Sequence, residues 1–279
     1  MPRHIWENVD VPEEFLSPEA VIGTGPYTLS DYSKEHGTYL YTANDSYYLR
    51  KPAAQEIKFV KISAEMMPAA LKQGQVNAAG IPAEVVEDIE TAGFTVIIDQ
   101  PSWNGKLTIN HQKAPLSSKE LRQAIAYAID REALVQIVFR GHAVPGSPGI
   151  MPSTSAWYNP DTPQYEYDVE KAKELIGGLG YQLENGYFVK DGQPLHLSLI
   201  ATADYRDLGQ FVAQQLEKAG IQIDFQTFEA KTVDAKVGAW EFDLSIYGHG
   251  GLYEPSIYYM VVLGEGFNSA RYTSNDILT

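Results

Sequence analysis

The segment Tyr247–Pro255, "YGHGGLYEP", brings a histidine, three glycines, two tyrosines and a glutamate together within nine residues. Three chemistries suit such a set. Glycine amides beside a histidine can form an oxyanion hole, imidazole with phenol and carboxylate oxygens can bind a metal, and a glycine backbone flanked by rings can wall a binding cleft. The "GHGG" string is similar to an esterase oxyanion loop, but that chemistry also needs a GxSxG elbow. The nearest string is "PGSPG" at 145–149, with Pro145 in place of the first glycine and Ser147 inside a proline-rich loop, so the hydrolase reading is rejected. The six histidines (His4, His36, His111, His142, His196 and His249) include no pair at metal-ligand spacing, so no metal site encased by the protein alone is expected. Two readings of His249 stay open: it completes, with Tyr253 and Glu254, the coordination of a metal that arrives already chelated, or it bonds a loop carbonyl. Without cysteine there is no disulfide, thiolate ligand or cysteine nucleophile. "GTGPY" at 23–27 lacks the third glycine of a dinucleotide loop and runs into a strand, leaving no helix N-terminus for a phosphate. Asp243 falls inside a strand and reads as structural, and no cofactor is called for.

The elements that position these residues follow from periodicity and punctuation. Between 22 and 62, alternation of Tyr27 with Leu29, Tyr39 with Tyr41 and Ile57 with Phe59 marks half-buried strands. Two short helices follow, closed by Gly74 and Gly93. "FTVIID" (94–99) and the segment 106–111 read as strands on either side of a Pro/Asn/Gly turn, and the domain boundary is placed there, giving domains 1–105 and 106–279. Beyond it, a serine of the Ser117-Ser118 pair, Asp130 and Asp168 cap helices whose apolar residues, such as Leu121, Ile125 and Ile129, share one face. The Pro/Gly/Ser-rich stretch 142–165 has no period and reads as a functional loop or a covering arm, with Trp157 and Tyr158 as a candidate ligand wall. Residues 195–247 alternate strand and helix in the β-α-β-α-β order of a parallel sheet. In open α/β sheets ligands bind beyond the carboxyl ends of the strands, which is where "YGHGGLYEP" leaves the last one.

Composition excludes further classes. A net charge of −15, with 36 acids against 21 bases, gives nucleic acid no electrostatic footprint. No apolar run approaches the about 20 residues of a membrane helix, and "MPRHIWENVD" has no signal-peptide character.

Several segments in order, "GTGPY", "LRQAIAYAIDRE", "YDVEKAKELIGGLGY", "AQQLEKAGIQIDFQTFEA" and "FDLSIYG", resemble the peptide/nickel-type (family 5) solute-binding proteins of ABC importers. The resemblance spans essentially the whole chain. It implies an α/β, two-lobed, type II periplasmic-binding-protein-like fold present only in part: the second segment of lobe I (1–105) and a lobe II (106–279) truncated before a helix that leads back. It implies a non-enzymatic, extracytoplasmic component, in the periplasm or on a cell-surface lipoprotein. Such a component captures a peptide, small molecule or nickel chelate between two lobes and hands it to the permease subunits. Contact with the membrane would come only through the transporter or a lipid anchor outside this chain. The implied ligand residues are Tyr247, His249, Gly250, Gly251 and Tyr253 on lobe II, Trp103 and Asn104 with Ser102 at the hinge, and Trp157. Peptide-binding relatives carry Trp and then Asp-Tyr in the last loop; here His249 replaces the Trp and Leu252 the Asp. The nickel-type pattern Trp-Gly-x-x-Tyr-acid-Pro fits His249, Gly250, Tyr253, Glu254 and Pro255 without a gap, apart from the Trp. The arginine those relatives use for an anionic chelator lies outside this chain.

Overall fold

The computed structural model describes residues 2–15, 17–98, 103–148 and 151–250. They form two compact units, Met1–Phe94 and Thr95–Thr279. In the first, β1 (Tyr27–Ser33), β2 (Thr38–Ala43) and β3 (Glu56–Val60) make an antiparallel sheet in that order. Its aromatic residues pair across strands: Tyr32 stacks on Tyr39 with centroids 6.4 Å apart, and Tyr41 meets Phe59 edge-on at 5.7 Å. Three short helices accompany the sheet: α1 (Arg3–Trp6), α2 (Met67–Lys72) and α3 (Val86–Thr91). Lys72 reaches Asp88 at 2.6 Å to tie α2 to α3, and Gly74 and Gly93 close them with φ of +69° and +89°.

Residues 94–98 form no strand, contrary to expectation, and Asp99 lies outside the described residues. Ile97 and Ile98 are 87% and 66% exposed, so the apolar run that suggested a strand has neither a pairing partner nor a core among the described residues. The contact boundary falls at 94/95, where the sequence reading drew it at 105/106, because Trp103, Asn104 and Gly105 already belong to β4 (Trp103–Ile109) of the second unit.

The second unit is built on a four-stranded sheet in the order β4-β10-β8-β9, which takes in β8 (His196–Thr202), β9 (Gln222–Phe228) and β10 (Leu244–Gly250). The last three strands are mutually parallel and β4 runs antiparallel to β10. Helices α4 (Lys119–Tyr127), α5 (Arg131–Val138) and α6 (Val169–Gly178) start where expected: Ser118 Oγ accepts from Leu121 N at 3.2 Å, Asp130 from Ala133 N at 2.9 Å and Asp168 from Lys171 N at 2.8 Å. With α7 (Arg206–Lys218) they bury the main core, in which Leu121, Ile125, Ile176, Leu199, Leu216 and Leu244 are fully enclosed. Each such side chain contributes roughly 1.5–3 kcal/mol of transfer free energy. Helix α8 (Ala230–Ala239) covers a smaller cluster of Ile200, Val233, Val237 and Phe242.

A small meander of β5 (Gln182–Glu184), β6 (Tyr187–Lys190) and β7 (Gln193–Pro194) was not anticipated. Its turns are Asn185-Gly186 and Asp191-Gly192, with φ of 51°, 90°, 53° and 74°, the double left-handed geometry that suits a tight hairpin.

Asp243 pins the start of β10. One carboxylate oxygen accepts from Ser198 N and Oγ, both at 2.8 Å, and the other pairs with Lys113. Burial works against ionisation here, but Lys113 and the two Ser198 donors outweigh it and hold the carboxyl below its ordinary range. Its structural reading stands.

Candidate functional site

The carboxyl ends of β8 and β10 and the start of β4 lie at one edge of the second unit's sheet. The ladder pairs Leu244 with Ile109 at one end and runs through Tyr247–Lys106, Gly248–Gly105 and His249–Asn104 to Gly250–Trp103. Tyr247 to Gly250 are therefore strand residues; the sequence reading ended the strand at Gly248 and placed His249 and Gly250 in a loop beyond it. The reason is that β4 begins early enough, at Trp103, to supply backbone partners as far as Gly250. Ser102, Gly251, Leu252, Tyr253, Glu254 and Pro255 lie outside the described residues.

Side chains alternate across a strand, so the two faces of this ladder carry different chemistry. On the α8 side stand Tyr247 and Lys106. The Tyr247 hydroxyl donates to Asp234 Oδ1 on α8 at 2.9 Å. Burial first, then the Asp234 carboxylate, pushes the phenol up to about 12. Burial alone lowers Lys106 to about 8. One pair further in, Ser245 and Thr108 are buried opposite each other, and their hydroxyls make no hydrogen bond.

On the α7 side, the paired Gly105 and Gly248 leave the backbone bare. Trp103 Nε1 donates to the hydroxyl of Tyr205, which follows the end of β8, at 2.5 Å. The two polar atoms meet over Gly248, at the place where a Cβ would stand. A Cβ on Gly105 would make only ordinary contacts, at 3.5 Å to Leu208 and 3.7 Å to Tyr205. Burial, partly offset by the bond from Trp103, raises the Tyr205 phenol.

Of the residues expected to meet a ligand, Trp103, Asn104, Tyr247, His249 and Gly250 are thus brought to one strand edge by the ladder register. Trp157 sits in the long loop, 61% exposed. Tyr158 lines a polar cavity of about 240 Å³ with Asp130, Arg131, Ser147 and Glu166, whose walls include none of the strand-edge residues. Ser147 itself donates its hydroxyl to Met151 O at 3.0 Å. Sequence reasoning missed Tyr205, Asp234, Lys106 and the Gly105–Gly248 pair. Tyr205 had a usable signal, since it follows a predicted strand at the end where ligands bind. Among the described residues no three His, Cys, Asp or Glu side chains are grouped to hold a metal, and no helix is long and apolar enough to cross a membrane.

The model of the bacterial extracellular solute-binding proteins, family 5 Middle, matches residues 6–270. The oligopeptide-binding protein AppA of Bacillus subtilis is 28% identical over 268 residues, covering 89% of this chain and 48% of its own length. The dipeptide-binding protein of Escherichia coli is 30% identical over 212 residues, covering 75% of this chain and 38% of its own. The structure of B. subtilis AppA in complex with a nonapeptide superposes with a TM-score of 0.82 at 25% identity, covering 98% of this chain and 57% of that one. The chain thus spans about half the length of the relatives it matches. The two-lobed binding-protein architecture, present in part, is shared with these structures. A family match across residues 6–270, nearly the whole chain, makes this chain a member of the family 5 extracellular solute-binding proteins.

Proposed function

We propose that the protein of which this chain is a part is the extracytoplasmic solute-binding component of an ABC importer, and that it captures a peptide or peptide-like solute for a membrane permease. The observation that carries the reading is the strand-edge group itself: Trp103, Asn104, Tyr247, His249 and Gly250 share one ladder at the carboxyl ends of parallel strands, where α/β sheets take ligands. Peptide binding by two relatives of 28% and 30% identity supports the solute class. Gly251 and Tyr253 belong to the same proposed site by sequence, Trp157 is its outlying member, and Ser102 to Asn104 form the proposed hinge for closure of two lobes over the solute. Delivery from the periplasm or from a lipid-anchored surface form belongs to the same proposal.

A metal chelate is the second reading. It is favoured by Leu252, which stands where peptide-binding relatives carry the acid that pairs with a free amino terminus, and by the imidazole of His249. Nothing in the relatives or the described residues supports a hydrolase. Native mass spectrometry of the full-length protein from its source tests both readings: a co-purified peptide supports the first and a metal chelate the second. A covalent acyl adduct on Ser147 would overturn both.

A further inference from the structure

An exposed tryptophan by itself says little, because much of any protein surface is apolar. Trp103 differs in being held. It is 60% exposed, yet its indole nitrogen is fixed at 2.5 Å to the Tyr205 hydroxyl, and both atoms rest over Gly248. Tyr205 is itself half-buried beside the main core and is anchored just after β8, so the brace is rigid at its far end. An indole has one hydrogen-bond donor and no acceptor. With that donor committed to Tyr205, what Trp103 offers a solute is the face of its ring. Around it, Gly248, Gly105 and, opposite Trp103 itself, Gly250 place no side chain in the way of close approach.

We propose that Trp103, braced by Tyr205 over Gly248, is a stacking platform that selects solutes presenting a flat apolar ring face, whether an aromatic side chain of a peptide or the CH face of a pyranose. The proposal rests on the strand edge being the solute site and adds the chemical class that the site favours. Stacking of this kind is directional, and a ring immobilised beforehand loses little conformational freedom on binding.

Calorimetric titration of the full-length protein with Ala-Phe-Ala, Ala-Ala-Ala and cellotetraose tests it. Either Ala-Phe-Ala binds about tenfold more tightly than Ala-Ala-Ala, or cellotetraose binds; which of these occurs identifies the source of the ring. Trp103→Ala abolishes that preference and Trp103→Phe keeps most of it. Because Trp103 is mostly exposed, Trp103→Ala melts close to the parent, and Tyr205→Phe, which keeps the ring and removes only the brace, weakens the preference without abolishing it. His249→Ala separates the two layers of the reading. If it weakens binding while Trp103→Ala leaves the ring preference intact, the platform is overturned and the strand-edge site stands. If neither variant changes binding, both fall, and if neither ring-bearing probe binds, the platform falls.

Discussion

At the scale of single residues, the strand edge is governed by where a side chain is missing as much as by where one is present. A methyl group at Gly248 would occupy the space where Trp103 Nε1 and the Tyr205 hydroxyl meet, whereas one at Gly105 would find ordinary contacts. Gly248→Ala is therefore expected to break the Trp103–Tyr205 bond and cost about 1–2 kcal/mol, because an exposed ring can swing aside. Gly105→Ala is expected to be near neutral; thermal melts and tryptophan emission check the contrast. On the opposite face, Lys106 and Tyr247 titrate with opposite consequences. Lys106 has a folded pKa of about 8, below its unfolded value of about 10.5, so the unfolded chain binds more protons between those values and stability rises with pH there. Tyr247 is raised to about 12, so the unfolded phenol ionises first and stability falls above about 10. Lys106→Met should remove the rise between about 8 and 10.5 and leave the fall above it, as denaturant titrations over that range would show. None of this was legible in the sequence, because both shifts depend on burial in the folded unit, and Asp234, which helps to raise Tyr247, comes from a different element, α8.

The elements were more legible than the contacts between them. Ser118, Asp130 and Asp168 mark their helix starts by chemistry confined to three residues, and the β-α-β-α-β alternation of 195–247 carries its own periodicity, so both could be read locally. The strand expected at 94–99 failed because an apolar run specifies a strand only when a partner exists to pair with it. The β5-β6-β7 meander was overlooked although Asn185-Gly186 and Asp191-Gly192 are the dipeptides that tight hairpins favour. The end of β10 was set too early because its length depends on β4, more than 130 residues away. Asp243 shows how such distant elements are fastened: it holds β8 through Ser198 and the segment after β4 through Lys113. Asp243→Asn is expected to cost about 1–3 kcal/mol at neutral pH. Since the folded carboxyl lies below its unfolded value, its contribution is present above that value and is lost as pH falls through the folded one, so parent and variant should converge below about pH 4 in melts across an acid series.

At the scale of the whole chain, the two units differ in how much they bury. Among the described residues of Met1–Phe94, only Ala70, Leu71 and Ile89 are buried apolar side chains, while the second unit encloses its sheet on both faces. Hydrogen exchange should therefore find the amides of β1–β3 opening at much lower free energy than those of β8 and β10; equal protection would contradict the packing described for the first unit. The family was legible at this scale because many weak segments occur in one order, whereas Trp157 and Tyr158 had only composition to recommend them. The ladder that pairs Trp103 with Gly250 also bears on how the described part of the second unit is threaded. Residues 103 and 250, far apart in the chain, are held side by side by backbone pairing. A segment cut at that pair has its two ends adjacent, which is what insertion into another protein's loop or a permuted order requires. Mechanically the same pairing is soft, because tension applied at those two residues unzips the β4–β10 ladder one pair at a time instead of shearing all seven pairs together.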